Sequence, residues 1–127
     1  MKELTKAEEQ CMQYLWKIEK GFLKDLLEEF SEPKPAHNTV ATVLKGLKNK
    51  GFVEYNTFGK SYEYYPLVGK GEYFKQTFKG LIGRYFNNSM KKFASFFTGN
   101  NDLSLSELEE LKDIIDNQIN IRKKKDE

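Results

Sequence analysis

Hydrophobic residues between positions 36 and 50 recur with the period of a helix. They lie at i, i+3, i+4 and i+7 as Val40, Val43, Leu44 and Leu47, so one face of the segment is apolar. Gly51 follows directly, and glycine suits the left-handed conformation in which many helices end. The pattern predicts an amphipathic helix that stops at Gly51.

Two short runs with β character follow this helix. They extend from Phe52 to Thr57 and from Ser61 to Leu67, and Phe58-Gly59-Lys60 separates them. Two such runs joined by a short connection that contains glycine are typical of a β-hairpin. The sequence therefore predicts a helix that leads directly into a two-stranded wing.

Two further helices are predicted upstream. Thr5 and Glu8 have the spacing of a capping box, and the helix they open carries the apolar stripe Ala7, Cys11, Leu15 and Ile18. We expect Gly21 to end that helix. A short second helix follows with the stripe Leu23, Leu26, Leu27 and Phe30. Pro33 and Pro35 prevent it from continuing into the next helix.

The predicted elements follow one another as helix, helix, turn, helix and hairpin. This is the order of a winged helix-turn-helix, in which the last helix enters the DNA major groove. The face of that helix opposite the apolar stripe is small, polar and basic. Its candidate DNA-binding residues are His37, Asn38, Thr39, Ala41, Thr42, Lys45 and Lys48. Lys60 at the wing tip and Tyr62 on the returning strand are candidates for contacts with the DNA backbone.

Charge and composition support this hypothesis only in combination with the hairpin. The net charge of the 127 residues is +2, but between Lys34 and Lys60 five lysines are opposed by Glu54 alone. Positive charge is thus concentrated where the helix and wing would face phosphates. The alternative is an ordinary solvated helix face, which is the usual place for lysines.

Candidate chemistry is sparse, since the chain has one cysteine and one histidine. Cys11 lies on an apolar stripe, which favours a small buried hydrophobe over a reactive thiol. His37 is either a donor to DNA or a solvated residue at the start of its helix. No nucleophile–base pair, metal-ligand spacing or phosphate-binding glycine loop is present. We therefore predict neither an enzyme nor a cofactor.

The C-terminal half begins beyond Val68-Gly69-Lys70-Gly71, so we predict a DNA-binding domain at 1–68 and a helical domain at 69–127. The residues from Glu72 to Phe97 are predicted to form one long helix that is rich in aromatic residues. A loop at 98–102 and a capping box of Ser104 and Glu107 precede a final helix. Its stripe is Leu108, Leu111, Ile115 and Ile119. The predicted fold is mainly α with a small β-hairpin wing.

Two helices alone cannot bury so much apolar surface, because apolar groups cover more than one side of the first. A second copy of the chain is the explanation that we favour. Its predicted dimerisation residues are Phe78, Ile82, Tyr85, Phe86, Met90, Phe93, Phe97, Leu108, Leu111 and Ile115. The alternatives are a helical subdomain within one chain and a small-molecule sensor with its ligand among the aromatic residues of 73–97.

Four segments of the chain together resemble a known family. In order they are LTKAEEQCMQYLW, HNTVATVLKGLKNKGFVEY, FGKSYEYYPLV and LSLSELEELKDIID. The family is that of the penicillinase repressors (the BlaI/MecI/CopY type), which are transcriptional regulators. The resemblance implies a homodimeric repressor on a palindromic operator of double-stranded DNA, released when a membrane sensor protease causes it to be cleaved. The copper-responsive branch of that family uses a C-terminal cysteine cluster, which this chain lacks. Metal sensing by that route is therefore not expected.

This chain departs from the family's pattern in two places. Relatives carry an arginine on the recognition helix where this chain has Ala41, so the operator sequence cannot be transferred. The bond that is cut in the best-known relatives is Asn-Phe, and the corresponding bond here is Phe96-Phe97. We therefore expect cleavage near Phe96 and Phe97 by a protease with a different preference.

Localisation is predicted from the lack of apolar segments. No apolar run approaches the roughly 20 residues that a membrane span needs, and the N-terminus lacks the core of a signal peptide. The sequence predicts a soluble, cytoplasmic protein without membrane insertion. A second class of function is a winged helix that binds another protein instead of DNA, and the basic residues Lys45, Lys48 and Lys60 argue against it.

Overall fold

The computed structural model describes residues 1–99 and 102–126, and within these ranges it has six helices and three strands. They are α1 (Lys6–Ile18), β1 (Gly21–Phe22), α2 (Leu23–Glu29), α3 (His37–Asn49), β2 (Val53–Phe58), β3 (Ser61–Pro66), α4 (Lys70–Phe86), α5 (Met90–Thr98) and α6 (Leu105–Lys125). The predicted fold class, mainly α with a β-hairpin wing, is confirmed. The chain forms two compact units, Met1–Phe78 and Lys79–Glu127.

Helix α1 begins as predicted but ends earlier. The Glu8 amide donates to Thr5 Oγ1 at 3.1 Å, and the Thr5 amide donates to Glu8 Oε1 at 2.9 Å, which completes the capping box. The prediction that Gly21 ends the helix is wrong, because Glu19 already adopts φ = 71° and leaves the helical conformation. Gly21 instead lies in a crowded place, since a Cβ there would come within 2.7 Å of Cδ1 of Ile18 and 3.1 Å of Cβ of Asp25.

A three-stranded antiparallel sheet in the order β1-β3-β2 forms the wing and its base. Strands β2 and β3 pair from Val53 opposite Pro66 to Phe58 opposite Ser61, which confirms the predicted hairpin. Gly59 supports the tight turn between them with φ = 62°. The sequence did not predict β1, which pairs through two residues with β3 and brings the start of α2 beside the wing.

The core of the first unit lies between α1, α2, α3 and the sheet. Its buried residues are Cys11, Met12, Leu15, Leu26, Val40, Leu44, Leu47, Phe52 and Val53. Burial raises the pKa of the Cys11 thiol to about 12, so this thiol stays protonated and unreactive at neutral pH. Trp16 Nε1 donates to the carbonyl oxygen of Val68 at 2.8 Å, which holds the segment after the wing against α1.

The C-terminal end of α3 is anchored to α1 by a partly buried ion pair. Lys50, the C-cap of α3, donates through Nζ to Glu8 Oε1 and, at 2.9 Å, to the carbonyl oxygen of Glu3. Glu8 is only 7% exposed. Burial alone would raise the pKa of the Glu8 carboxyl group, but hydrogen bonds from Lys50 and Thr5 outweigh it and lower this pKa. Helix α3 is thereby fixed at its C-terminal end by a charge interaction.

Replacing Glu8 with glutamine should therefore destabilise the first unit at neutral pH. We expect the free energy of unfolding to fall by about 1–3 kcal/mol, the usual loss for a hydrogen bond to a charged group. Because the folded-state pKa lies below the ordinary value of 4.5, the contribution of Glu8 is complete above that pH and is lost as pH falls through the folded-state pKa. Urea titrations at pH 7 and at about pH 3 measure this difference.

The exposed neighbour Glu9 provides the control for this experiment. Glu9→Gln carries the same chemical change on the same helix, but its side chain takes no part in the ion pair with Lys50 or in the capping box. A Glu8→Gln variant as stable as Glu9→Gln at pH 7 would contradict the role assigned to the ion pair.

The prediction of one long helix from Glu72 to Phe97 is wrong. Helix α4 ends at Phe86, and α5 begins at Met90. Asn87 and Asn88 adopt left-handed conformations with φ = 51° and 62°, which asparagine tolerates better than most residues. Ser89 then caps α5 by accepting a hydrogen bond from the amide of Lys92 at 3.1 Å.

The last helix, α6, starts as the sequence predicts. The Glu107 amide donates to Ser104 Oγ at 3.1 Å, and the Ser104 amide donates to Glu107 Oε1 at 2.9 Å. Residues 100 and 101 of the predicted loop lie outside the described residues. Among the described residues, no helix is long and apolar enough to cross a membrane.

Candidate nucleic-acid interface

Helix α3 buries one face and leaves the other open to solvent. Val40, Leu44 and Leu47 are buried in the core of the first unit, so the opposite face points outward. The exposed candidates on this helix are His37, Asn38, Thr39, Thr42 and Lys45, whereas Ala41 and Lys48 are partly buried. Five of the seven candidate residues on this helix therefore lie where a DNA duplex can reach them.

A groove of about 450 Å³ separates the first turns of α3 from the wing. His37 and Ala41 line it from α3, and Lys60 and Tyr62 line it from the wing. The structure thus brings together four candidates that are far apart in sequence. Lys24, at the start of α2, lines the same groove from a third element.

The groove belongs to the candidate site, and Lys24 is a lining residue that the sequence did not predict. Lys24 stands next to the apolar stripe of α2 with nothing in the sequence to distinguish it from a solvated lysine. Its position depends on the pairing of β1 with β3, which holds the start of α2 at the edge of the wing. A two-residue strand is too short to show a period, so the sequence carries no signal for this contact.

Lys48 does not join the groove. Its Nζ lies 3.3 Å from Oε1 of Glu54 and 5.5 Å from the centre of the Tyr55 ring. The pKa of the Glu54 carboxyl group is lowered, first by a hydrogen bond from the amide of Tyr55 and second by the interaction with Lys48. Glu54 therefore stays ionised near neutral pH and offsets the charge of Lys48, so Lys48 would have to leave this ion pair to bind a phosphate.

Thr42 and Thr39 have different surroundings although both are exposed. The Thr42 hydroxyl donates to the backbone oxygen of Asn38 at 2.9 Å, which leaves its oxygen free to accept a hydrogen bond from a base. Thr39 lies on the other edge of α3, beside a small apolar cavity that Pro35 and Phe30 also line. Of these two threonines, Thr42 is therefore the one whose hydroxyl is oriented by the helix itself.

Three tyrosine rings stiffen the wing on the face that carries Tyr62. Tyr62 stacks on Tyr55 with ring centres 4.1 Å apart, and Tyr64 contacts both rings edge-on. The pKa of Tyr64 is raised, mainly by burial and to a smaller extent by the neighbouring phenols of Tyr55 and Tyr62. Tyr62 itself remains 44% exposed, so its ring is held in place while its surface stays accessible from the groove.

The site has the features of a binding surface. Among the described residues, no group of three or more His, Cys, Asp and Glu side chains could hold a metal ion. The surface consists of an exposed helix face, a basic groove and a wing that can lie against a nucleic-acid backbone. These are the features of a protein that regulates transcription by binding DNA.

The sequence profile of the Penicillinase repressor family matches residues 4–117. The chain belongs to this family. Members of the Penicillinase repressor family are regulators of transcription and not enzymes, which confirms the class of protein that the sequence predicted. The match begins before α1 and ends within α6, so it spans both compact units.

Three relatives are similar to this chain over most of its length. The methicillin resistance regulatory protein MecI of Staphylococcus aureus (strain N315) is 27% identical over 114 residues, which is 89% of this chain and 93% of the relative. The MecI protein of Mammaliicoccus sciuri is 26% identical over the same length. The penicillinase repressor of Bacillus licheniformis is 24% identical over 122 residues, 95% of each chain.

Proposed function

We propose that this regulator is a cytoplasmic homodimer that binds a palindromic operator in double-stranded DNA and represses transcription until it is cleaved. The observation that carries the proposal is the exposed polar face of α3 beside a groove lined by positive residues. A recognition helix needs such a face to approach base edges, and the flanking positive charges bind phosphates. In this proposal 1–68 binds DNA and 69–127 forms the dimer.

Base contacts are assigned to the N-terminal part of α3. Asn38 and Thr42 expose polar groups there, and Ala41 can contact a thymine methyl group. Lys45 lies further along the same face and is exposed without an ion-pair partner among the described residues. His37 lines the groove, which favours a role as a donor to DNA over that of a residue surrounded by solvent alone.

Exposed apolar side chains in the second unit support a dimer. The proposed dimerisation residues that are exposed in a single chain are Tyr85, Met90, Phe97, Leu111 and Ile115. A helical subdomain within one chain would leave these groups in water, whereas a second copy covers them. Two-fold symmetry also spaces two recognition helices about 34 Å apart, one turn of DNA.

The aromatic residues of the second unit are accounted for without a bound ligand. Phe86 contacts Phe93 and Phe96, with ring centres 5.5 and 5.7 Å apart, and Phe93 stacks on Phe97 at 5.5 Å. Rings at these separations stabilise one another. We therefore favour an aromatic core within the dimer over the sensor of a small molecule.

A mobility shift with a duplex from the protein's own promoter tests the proposal directly. The DNA-binding hypothesis expects a retarded complex whose affinity falls steeply as salt rises, because bound phosphates release counterions. A winged helix that binds only other proteins would give no complex at any salt concentration. Absence of binding by the intact chain would therefore reject DNA recognition and favour the protein-interaction class.

Lys45 and Lys48 should differ in this assay. Lys45→Ala should flatten the slope of log affinity against log salt by about 0.9 for each phosphate that the protein no longer binds, or about 1.8 for a dimer. Lys48→Ala should have a smaller effect, because Lys48 already pairs with Glu54. Unchanged affinity and slope in both variants, with the fold intact, would exclude α3 as the recognition element.

A further inference from the structure

The groove beside the wing is open because α3 contributes only small or terminal groups to it. Ala41 presents a methyl group to the groove, and His37 stands at its end on the first turn of α3. The opposite wall is fixed, since Tyr62 stacks on Tyr55 and Gly59 sets the turn that carries Lys60. The groove is therefore a surface cavity whose wing side is positioned by ring stacking and by the turn at Gly59.

All the charge on the walls of this groove is positive. Lys24 and Lys60 approach from α2 and from the wing, and no acidic side chain lines the groove among the described residues. An anion is therefore the complementary occupant. A phosphodiester suits these walls, because lysine ammonium groups bind phosphate as point charges.

Lys24 is exposed at the start of α2 and lines the groove, so it can reach an external anion. Its neighbour in sequence, Asp25, already accepts a hydrogen bond from the amide of Phe22 at 2.8 Å. Within the described ranges Lys24 forms no ion pair, unlike Lys48 and Lys17. Its charge can thus bind an anion without breaking an ion pair within the protein.

We propose that this groove binds a backbone phosphate of the operator between Lys24 and Lys60, at the edge of the major groove that α3 enters. The inference rests on the proposed function and adds a contact from α2 to it. Backbone contacts fix the orientation of a protein on DNA without reading its sequence. Lys24 therefore holds the recognition helix in register, and its contribution is independent of base sequence.

The test compares Lys24→Gln with Lys24→Arg in the intact chain. Binding is measured against salt on two duplexes of equal length, one from the protein's own promoter and one with the same bases scrambled. Lys17→Gln is the matched control, because it removes the same charge from an exposed ion pair of little energetic value. Circular dichroism confirms that each variant is folded.

We expect Lys24→Gln to weaken binding to both duplexes by a similar factor, about tenfold or more at ~0.1 M salt, and to reduce the salt slope by about 1.8 for the dimer. Lys24→Arg should retain affinity and slope, since it keeps the charge. Lys17→Gln should behave as the wild type.

Two outcomes would overturn the inference while leaving the proposed function intact. One is a Lys24→Gln variant that matches Lys17→Gln in affinity and slope while Lys45→Ala still flattens the slope. The other is a loss of affinity confined to the promoter duplex, which would make Lys24 a reader of bases. A wild-type chain that binds neither duplex would reject the proposed function itself.

Discussion

Replacing Phe86 with glutamate is expected to dissociate the proposed dimer and to abolish tight binding to the proposed operator. The Phe86 ring is partly buried against Phe93 and Phe96, so the substitution removes apolar packing and introduces a carboxylate among aromatic rings. Removal of the buried apolar surface alone costs about 1.5–3 kcal/mol per subunit, and burial of an unpaired charge adds to it. Because the Phe93 and Phe96 contacts lie within one chain, the loss destabilises the fold of the second unit as well as the proposed interface. Across two subunits, the dissociation constant of the proposed dimer should rise by at least about 100-fold.

Operator affinity should fall with the dimer, because each half-site supplies only part of the binding free energy. Light scattering reports the oligomeric state, and a titration with the promoter duplex reports binding under the same conditions. Gln76→Glu is the control, since it adds the same charge to an exposed position on the same helix. A wild-type protein that is monomeric at micromolar concentration and still binds a palindrome tightly would contradict the proposed dimer.

Helix starts and the recognition helix were predictable because their signals are local. The two capping boxes at Thr5 and Ser104 use residues three positions apart, and both formed as expected. The apolar period of α3 followed by Gly51 predicted the helix and its end, since only a left-handed residue, here φ = 81°, was needed. Signals of this kind require no knowledge of distant neighbours.

The errors arose where a local preference competes with a periodic pattern. The aromatic period from Glu72 to Phe97 continues across Asn87 and Asn88, so the sequence favoured one helix. These two asparagines instead take left-handed conformations, an option that a periodicity argument does not weigh. The break makes α5 a separate helix of nine residues.

The site was predictable in outline but not in its charge arrangement. Exposure of the polar face of α3 follows from its period. Pairing of Lys48 with Glu54 depends on how β2 leaves the end of α3, and the approach of Lys24 to Lys60 depends on β1. Contacts between different elements decide which lysines are free, and a sequence pattern records only that lysines are present.

Cleavage of the chain between Phe96 and Phe97 is expected to end repression. Both residues lie near the C-terminal end of α5, where Phe96 contacts Phe86 and Phe97 stacks on Phe93. A cut there separates Phe97 and α6 from the rest of the chain and removes apolar groups from the proposed interface. The dimer dissociation constant should then rise, and the two halves should leave the operator.

The break at Asn87 and Asn88 places the Phe96-Phe97 bond in a short helix of its own. Proteases bind extended chain, so α5 must unfold locally before the Phe96-Phe97 bond can enter an active site. Helix α5 has only nine residues, none of them fully buried in a single chain, and Phe96 is 61% exposed. Opening α5 therefore breaks the ring contacts of Phe93, Phe96 and Phe97 but exposes no fully buried side chain of its own. A continuous helix through residue 97 would have resisted such local opening more strongly.

Mass spectrometry of the repressor from induced cells tests the prediction. We expect a fragment that ends at Phe96 and a second that begins at Phe97. Phe96→Asp should slow its appearance by at least about tenfold, because a charge at the residue before the cut bond opposes binding in an apolar protease pocket. Ser95→Ala, an exposed neighbour on α5, should be cleaved as the wild type. Intact protein under full derepression would instead mean that a ligand or a partner releases the DNA.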